Sequence, residues 1–251
     1  KPITVKTRPG SLVDAQKPSS MVGFGDVCYR VLDATMTALA GAIGDRAIAS
    51  GSGSTGTAVV AGRQRRSNGD HYFTTIELSS GAYGGRATRD GMNAIRYGPG
   101  NAGHIPIEAD EIENPLFFEA YEIVPDTGGA GRYRGGNGFV RAFRVMSDRA
   151  QICLCADRHE TPPPGLFGGE PGATSRYVLN PGTNNEQVLA SKTPYIDLDA
   201  NTLVRVQSAG GGGYGDPLER DPASIADDVK NGYISEEKAV AAYGYKKAAR
   251  L

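Results

Sequence analysis

The sequence contains no tryptophan, four methionines, three cysteines and three histidines in 251 residues. So few cysteines, and an odd number of them, argue against a secreted disulfide scaffold and point to a reducing, cytoplasmic setting. His71, His104 and His159 are scattered, and Cys153-x-Cys155 has no second pair to complete a tetrahedral site. Each cysteine reads as a small buried hydrophobe, and no metal held wholly within this chain is expected. An excess of either charge is also missing. Lys and Arg total 27 against 28 for Asp and Glu, a net charge of -1, which gives no field to draw nucleic acid or an acidic membrane surface. No run approaches the ~18 apolar residues of a membrane span, and no basic stretch leads into an apolar one as in a signal peptide. Neither nucleic acid nor membrane is an expected partner.

What the chain has in quantity is glycine, 35 residues, roughly twice the usual share. These glycines follow no collagen period and are interleaved with apolar runs, as in short strands joined by many tight turns. Alternation predicts strands at 3–7, 57–61, 71–78, 104–109, 116–124, 139–145, 151–156 and 203–206, and a hairpin pairing 177–179 with 187–189. The first of these begins so near the first residue that a preceding segment is expected. Val27, Val31, Leu32, Thr35, Leu39 and Ala42 fall at helical spacing over 26–43, with Asp26 as N-cap and Gly44 as the closing glycine. Asp221-Pro222 opens a second helix that Gly232 closes, and Ser235 opens a third that ends near Gly244. The expected fold is α+β, mostly β: a glycine-rich, strand-dominated body over 1–217 with one early helix, then a small helical tail over 218–251.

Several strings carry chemistry elsewhere. Gly51-x-Gly53-x-x-Gly56 matches a dinucleotide fingerprint, but β-branched residues follow it where a helix is required, so it reads as a turn or loop. No serine sits in a Gly-x-Ser-x-Gly elbow. Glu108, Asp110, Glu111 and Glu113 read as a solvated face or a partner contact. Arg63-Gln64-Arg65-Arg66 with Ser67-Asn68-Gly69-Asp70 reads as an exposed hairpin tip, without the interleaved aromatics of a nucleic-acid patch. By themselves the residues offer no self-contained active site.

Five segments, in order, resemble the B-type subunit of the hydantoinase/oxoprolinase family, also called the N-methylhydantoinase B family. They are RPGSLVDAQKP with the helix VLDATMTALAGAI; GGRATRDGMNAI; IPIEADEIENPLFFEAYEIVPDTGGAGRYRGGNGFVRAFRV; GLFGGEPGATSRYVLN; and GGGGYGDPLERDP with DVKNGYISEEKAVAAYG. The resemblance runs from about Ile3 to Gly244 and is to roughly the C-terminal half of that subunit. It implies that the chain is a fragment, a processed piece or one product of a split gene.

The implied partners are the N-terminal half of the B-type subunit, which would carry a divalent metal, and an A-type subunit that binds ATP and Mg²⁺. None of these cofactors would be bound wholly by this chain. The implied reaction is ATP-dependent opening of a cyclic amide such as hydantoin, 5-oxoproline or another lactam. Phosphorylation makes the ring carbonyl electrophilic for water, and catalysis rests on clamped charge and positioned groups. Carboxylation of a ketone of the acetone or acetophenone type is the alternative activity, and a non-catalytic assembly module is the third reading. Candidate contacts with the small-molecule substrate are Arg86, Arg89, Asp90, Asn101 and His104. Arg86, Arg89 and Asp90 also read as a loop-stabilising ion pair. Where many relatives carry His and Thr, this sequence has Ile95, Arg96, Tyr97 and His104; if this segment lines the substrate cavity, the resemblance implies a substrate class that differs from hydantoin itself.

Overall fold

Runs that alternate in polarity bury one face each, and here they do so against one another. The computed structural model describes residues 3–19, 24–96, 98–100 and 102–246. Helix α1 (Phe24–Ile43) precedes the hairpin β1 (Thr57–Arg66) and β2 (Gly69–Leu78), which turns at Ser67-Asn68 as the sequence predicts. Then come α2 (Ile107–Glu113), β3 (Leu116–Ile123), β4 (Phe139–Val145), β5 (Arg149–Cys155), β6 (Arg176–Leu179), β7 (Gln187–Val188), β8 (Lys192–Leu198) and β9 (Leu203–Gln207). Helices α3 (Pro222–Lys230) and α4 (Glu236–Tyr243) form the tail. The strands make a four-stranded sheet, ordered β2-β1-β5-β8, and a five-stranded sheet, ordered β3-β4-β9-β6-β7. All pairings are antiparallel, including the expected β6–β7 hairpin. The α+β, mostly β architecture with an early helix and a small helical tail is the one that forms.

The two sheets share a core. Val60, Phe73, Ile152, Leu154 and Leu198 from the first pack in one cluster with Phe118, Phe143, Val145, Tyr177, Val204 and Val206 from the second. Burying a side chain of this size is worth about 1.5–3 kcal/mol, so this cluster is the main stabilising element of the sandwich.

At one end of the sandwich the strands run out into a layer with no regular strands, where the glycines collect. Residues 210–213 lie at its centre. Their amides donate in turn to Ala173, Gly136, Ser50 and Glu170, so successive residues bond to different neighbouring segments. A strand would alternate between two neighbours. Such packing needs backbones closer than a Cβ allows. A Cβ placed on Gly210, Gly211, Gly212 or Gly213 would stand 1.8–2.1 Å from the carbonyl oxygen of Thr127, Tyr83, Pro164 or Ala130 respectively. The glycines serve in both ways the sequence suggests: Gly10, Gly182 and Gly232 take positive φ in turns, and this layer uses close backbone approach.

Polar ties attach the helices. Asp33 of α1 takes the Arg158 guanidinium at 2.6 Å, and Asp26 accepts from the Thr55 N–H at 2.6 Å. Asp26 is therefore not the N-cap expected of it; it lies in the first turn of a helix that begins at Phe24, and its carboxylate serves the glycine layer. In the tail, Asp221 and Ser235 are the N-caps and Gly244 takes the left-handed closing conformation, as predicted. Ile225, Ile234, Ala239 and Tyr243 pack the tail onto Ala130 of the glycine layer.

Other expectations are corrected. Residues 104–109 are not a strand: the chain bends at Pro106, the residue before α2, and Glu108 and Asp110 fall in the first turn of that helix, where negative charge is favoured. Residues 3–7 alternate but have no partner strand among the described residues, and they are exposed. Strand β8 escapes the sequence pattern because Pro194 interrupts it. It is an edge strand, and its register against β5 shifts between Ile152 and Leu154, opposite that proline. Cys28 is exposed and Cys153 and Cys155 are half-buried, so none is the fully buried hydrophobe expected. Among the described residues no helix is long and apolar enough to cross a membrane.

Candidate functional site

Between the sheets, apolar packing gives way along one edge to charge. On β2 the inward positions are Phe73, Thr75 and Glu77; on β4, Arg141 falls at the same alternation as Phe143 and Val145. Glu77 and Arg141 meet across the interior with Oε2 and Nε 3.0 Å apart, both side chains at most 2% exposed. A register shift in β3 between Phe118 and Ala120 brings Tyr121 opposite Arg141, on the same face as Phe118. The guanidinium consequently lies over both rings, 4.6 Å from the centroid of Phe118 and 5.0 Å from that of Tyr121.

Two further elements close the cluster. From α2, Asp110 accepts from Thr75 Oγ1 at 3.1 Å and from Asn114 Nδ2 at 2.6 Å. From the segment before α2, His104 Nδ1 lies 2.5 Å from the Tyr121 hydroxyl, with its ring 4.9 Å from that of Phe139. The Glu77 and Asp110 carboxyl groups lie within hydrogen-bonding reach of each other, and Arg141 Nη2 is buried without a hydrogen-bond partner, an unusual state for a charged group.

Burial pushes the Glu77 carboxyl up to about 7, against the pull of Arg141 and with the push of Asp110 beside it. Glu77 therefore keeps a proton to near neutrality. Burial lowers His104, and Arg141 and Arg96 lower it further, so the imidazole is neutral at physiological pH. A hydrogen bond to the Leu78 backbone acts the other way, and the ring tautomer sets which of Nδ1 and the Tyr121 hydroxyl donates. Burial raises the Tyr121 phenol. Glu77 thus holds a proton in the interior, while Tyr121 and His104, hydrogen-bonded to each other, lie nearer the surface, and each is a group able to hold or donate a proton.

The candidates named from sequence do not gather in one place. His104 belongs to this cluster, and Asn101 lies outside the described residues. Asp90 is on a different face: its carboxylate takes Arg220 in a two-pronged pair at 2.7 and 2.8 Å and accepts the Arg134 N–H at 2.8 Å. Arg220 and Arg134 both also bond Asp228 of α3, so this network joins the tail to the glycine layer. Arg86 sits 5.2 Å from the Tyr83 ring centroid, and its N–H donates to the Arg89 carbonyl. Arg89 is exposed and, with Asp90 and Arg220, lines a cavity of about 380 Å³. The charge partner of Asp90 is Arg220, 130 residues away in sequence.

Sequence reasoning did not single out Glu77, Arg141 or Tyr121, and it read Asp110 as solvated although it is buried. For Glu77 and Arg141 a signal was present. Each is a charged residue at an inward-facing position of an alternating strand, and their charges are opposite. Tyr121 gave none, because the register shift that sets it opposite Arg141 is invisible in the pattern.

Among the described residues no three His, Cys, Asp or Glu side chains converge as a metal site requires. The Gly51–Gly56 string runs directly into β1, not into a helix, and so offers no helix N-terminus to a phosphate.

Comparison with known proteins follows the same outline. The chain is 29% identical over 245 residues to a putative B-type subunit of a D-/L-hydantoinase of Pseudomonas sp. (strain NS671), a match covering 97% of this chain and 40% of that protein. It is 28% identical over 211 residues to the acetone carboxylase alpha subunit of Xanthobacter autotrophicus, covering 69% of this chain and 27% of that one. The crystal structure of the ATP-dependent caprolactamase from Pseudomonas jessenii superposes with a TM-score of 0.84 at 26% identity, over 99% of this chain and 44% of that chain. This chain thus spans well under half the length of these relatives. The family model described as hydantoinase B/oxoprolinase matches residues 1–217, and the chain belongs to that family.

Proposed function

We propose that this chain is part of the B-type subunit of an ATP-dependent cyclic amide hydrolase, opening a hydantoin, 5-oxoproline or another lactam together with an ATP-binding A-type subunit. The observation that carries this reading is the superposition on an ATP-dependent caprolactamase over 99% of the chain at a TM-score of 0.84. ATP and Mg²⁺ are assigned to the A-type subunit, and a divalent metal to the N-terminal half of the B-type subunit. Opening the ring releases an amine nitrogen that must gain a proton. Glu77, protonated to about pH 7, with Tyr121 and His104 leading outward from it, is our candidate source. Arg86, Arg89 and Asp90 remain candidates for substrate contact on the opposite network.

The test is to co-purify the chain with its partner subunits and follow ADP release with hydantoin, 5-oxoproline and caprolactam. Ring opening in step with ADP release supports the proposal; ATP turnover that needs bicarbonate and a ketone, without lactam opening, replaces it with the carboxylase reading. The match to the acetone carboxylase alpha subunit keeps that second reading in view, but it covers only 69% of the chain, against 97% for the hydantoinase subunit.

A further inference from the structure

Helix α1 is amphipathic the wrong way round for a helix that packs on a core. Its inward stripe is Asp26, Tyr29, Asp33 and Ala40. Three of these are polar or carry a polar tip, and each is tied: Asp26 to Thr55, Tyr29 to Arg96 at 2.9 Å and Asp33 to Arg158. Among the described residues, no side chain of α1 belongs to the core cluster of the sandwich. The opposite stripe is apolar and faces out. Val27, Val31, Leu32 and Thr35, with Val5, Leu12 and Val13 from the segment before the helix, line an open groove of about 950 Å³. Val31 is 47% exposed, Leu12 83% and Val5 79%. One carboxylate lies in the lining, Asp14, and it is taken up by Thr7 and Gln16. The ion pair of Asp33 and the hydrogen bonds of Asp26 and Tyr29 on the inner side fix the rotation of the helix, so the apolar stripe stays outward and is open to a cover from outside.

We propose that this groove is the docking surface for the polypeptide equivalent to the part of the B-type subunit that this chain does not match. The inference rests on the reading of the chain as part of such a subunit and names the face it uses. The argument for this occupant is length: the chain accounts for 40% of the hydantoinase subunit and 44% of the caprolactamase chain. More than half of each relative therefore lies elsewhere in the same subunit and has to pack against something. An open, largely apolar trough beside a rigidly held helix suits a large apolar interface of the obligate kind. Whether that polypeptide is joined to this chain or separate does not alter the surface it meets.

Cys28 supplies the readout, being an exposed thiol in the groove lining. The chain is purified alone and together with the polypeptide from the same genome that matches the remainder of the hydantoinase subunit. Both samples are treated with N-ethylmaleimide, and modification is mapped by peptide mass spectrometry. We expect Cys28 to react at least tenfold more slowly in the assembly, while Cys153 and Cys155 on β5 keep their rates. Val31→Glu and Leu12→Glu, both at exposed positions, are expected to weaken assembly at least a hundredfold while leaving the circular dichroism and melting temperature of the isolated chain unchanged.

Equal Cys28 reactivity in the two samples overturns the proposal. So does a self-associating chain that protects Cys28 with no partner present, which would make a second copy the occupant. If the charged variants assemble and open lactams normally, the groove assignment fails while the functional reading stands. If they block assembly of a complex that turns over no lactam, the groove assignment stands and the functional reading fails.

Discussion

The sandwich and helix α1 bury opposite kinds of surface. Between the sheets, residues such as Val60, Phe143, Ile152 and Val206 are fully enclosed, and charge enters only along one edge, at Glu77 and Arg141. In α1 the carboxylates look in and the valines look out. The first arrangement stabilises itself through apolar burial. The second is held by charge pairs that fix direction, and it leaves apolar area for something else to cover. Burial of ion pairs is a weak source of net stability but a strong source of fixed geometry when both partners are present. The body is therefore built to fold, and α1 is built to be presented.

The largest expected effect breaks the body at one of its close backbone contacts. In Gly213→Ala the new methyl would stand 1.9 Å from the Ala130 carbonyl oxygen, which is backbone and has no flexible end to move. We expect a loss of more than about 4 kcal/mol, seen as loss of soluble folded protein or collapse of the urea midpoint. Next comes the tie that orients α1. Arg158→Met removes the 2.6 Å partner of buried Asp33 and leaves it only Arg30 at 3.1 Å. A cost of about 3 kcal/mol by denaturant unfolding is expected; an unchanged midpoint would mean that the pair does not hold the helix.

The third effect concerns the charged edge inside the sandwich. Glu77 is raised from 4.5 to about 7 in the folded state, so the folded protein binds its proton more tightly than the unfolded chain does. The stability this contributes is fully present below pH 4.5 and is lost as pH rises through 7. Between pH 5 and pH 8 it should fall by roughly 2–3 kcal/mol. Glu77→Gln keeps the shape but cannot titrate, so its stability should be flatter over that range, with the two proteins closest at pH 5. Parallel pH profiles would remove Glu77 as the proton-holding group.

How much of this was legible in the sequence depended on whether the governing interaction was local. Caps at Asp221 and Ser235, the closing Gly244 and most strands declared themselves because they rest on neighbours a few residues away. The glycine layer did not, since turns and close-packed backbones call for the same residue, and only the three-dimensional meeting of 210–213 with distant segments separates them. The proton-holding cluster was half legible. His104 was found, and inward charges at Glu77 and Arg141 were there to be read. Tyr121 depends on a one-residue shift, and Asp110 on a helix that local alternation disguised as a strand.

The smallest expected effect sharpens the comparison most directly, because it makes one chemical change on both surfaces. Val→Thr keeps the volume and exchanges a methyl for a hydroxyl. At Val60, which is fully buried in the core, the hydroxyl loses water and meets an apolar cluster, so Val60→Thr should cost about 1–3 kcal/mol. At Val31 the hydroxyl stays hydrated, and in the isolated chain Val31→Thr should lie within about 0.5 kcal/mol of the parent. Equal costs at the two sites would mean that the outer face of α1 is already covered in the isolated chain, and the contrast between the two surfaces would fail. Unequal costs that converge when the partner polypeptide is added would identify Val31 as a core residue of the assembled subunit.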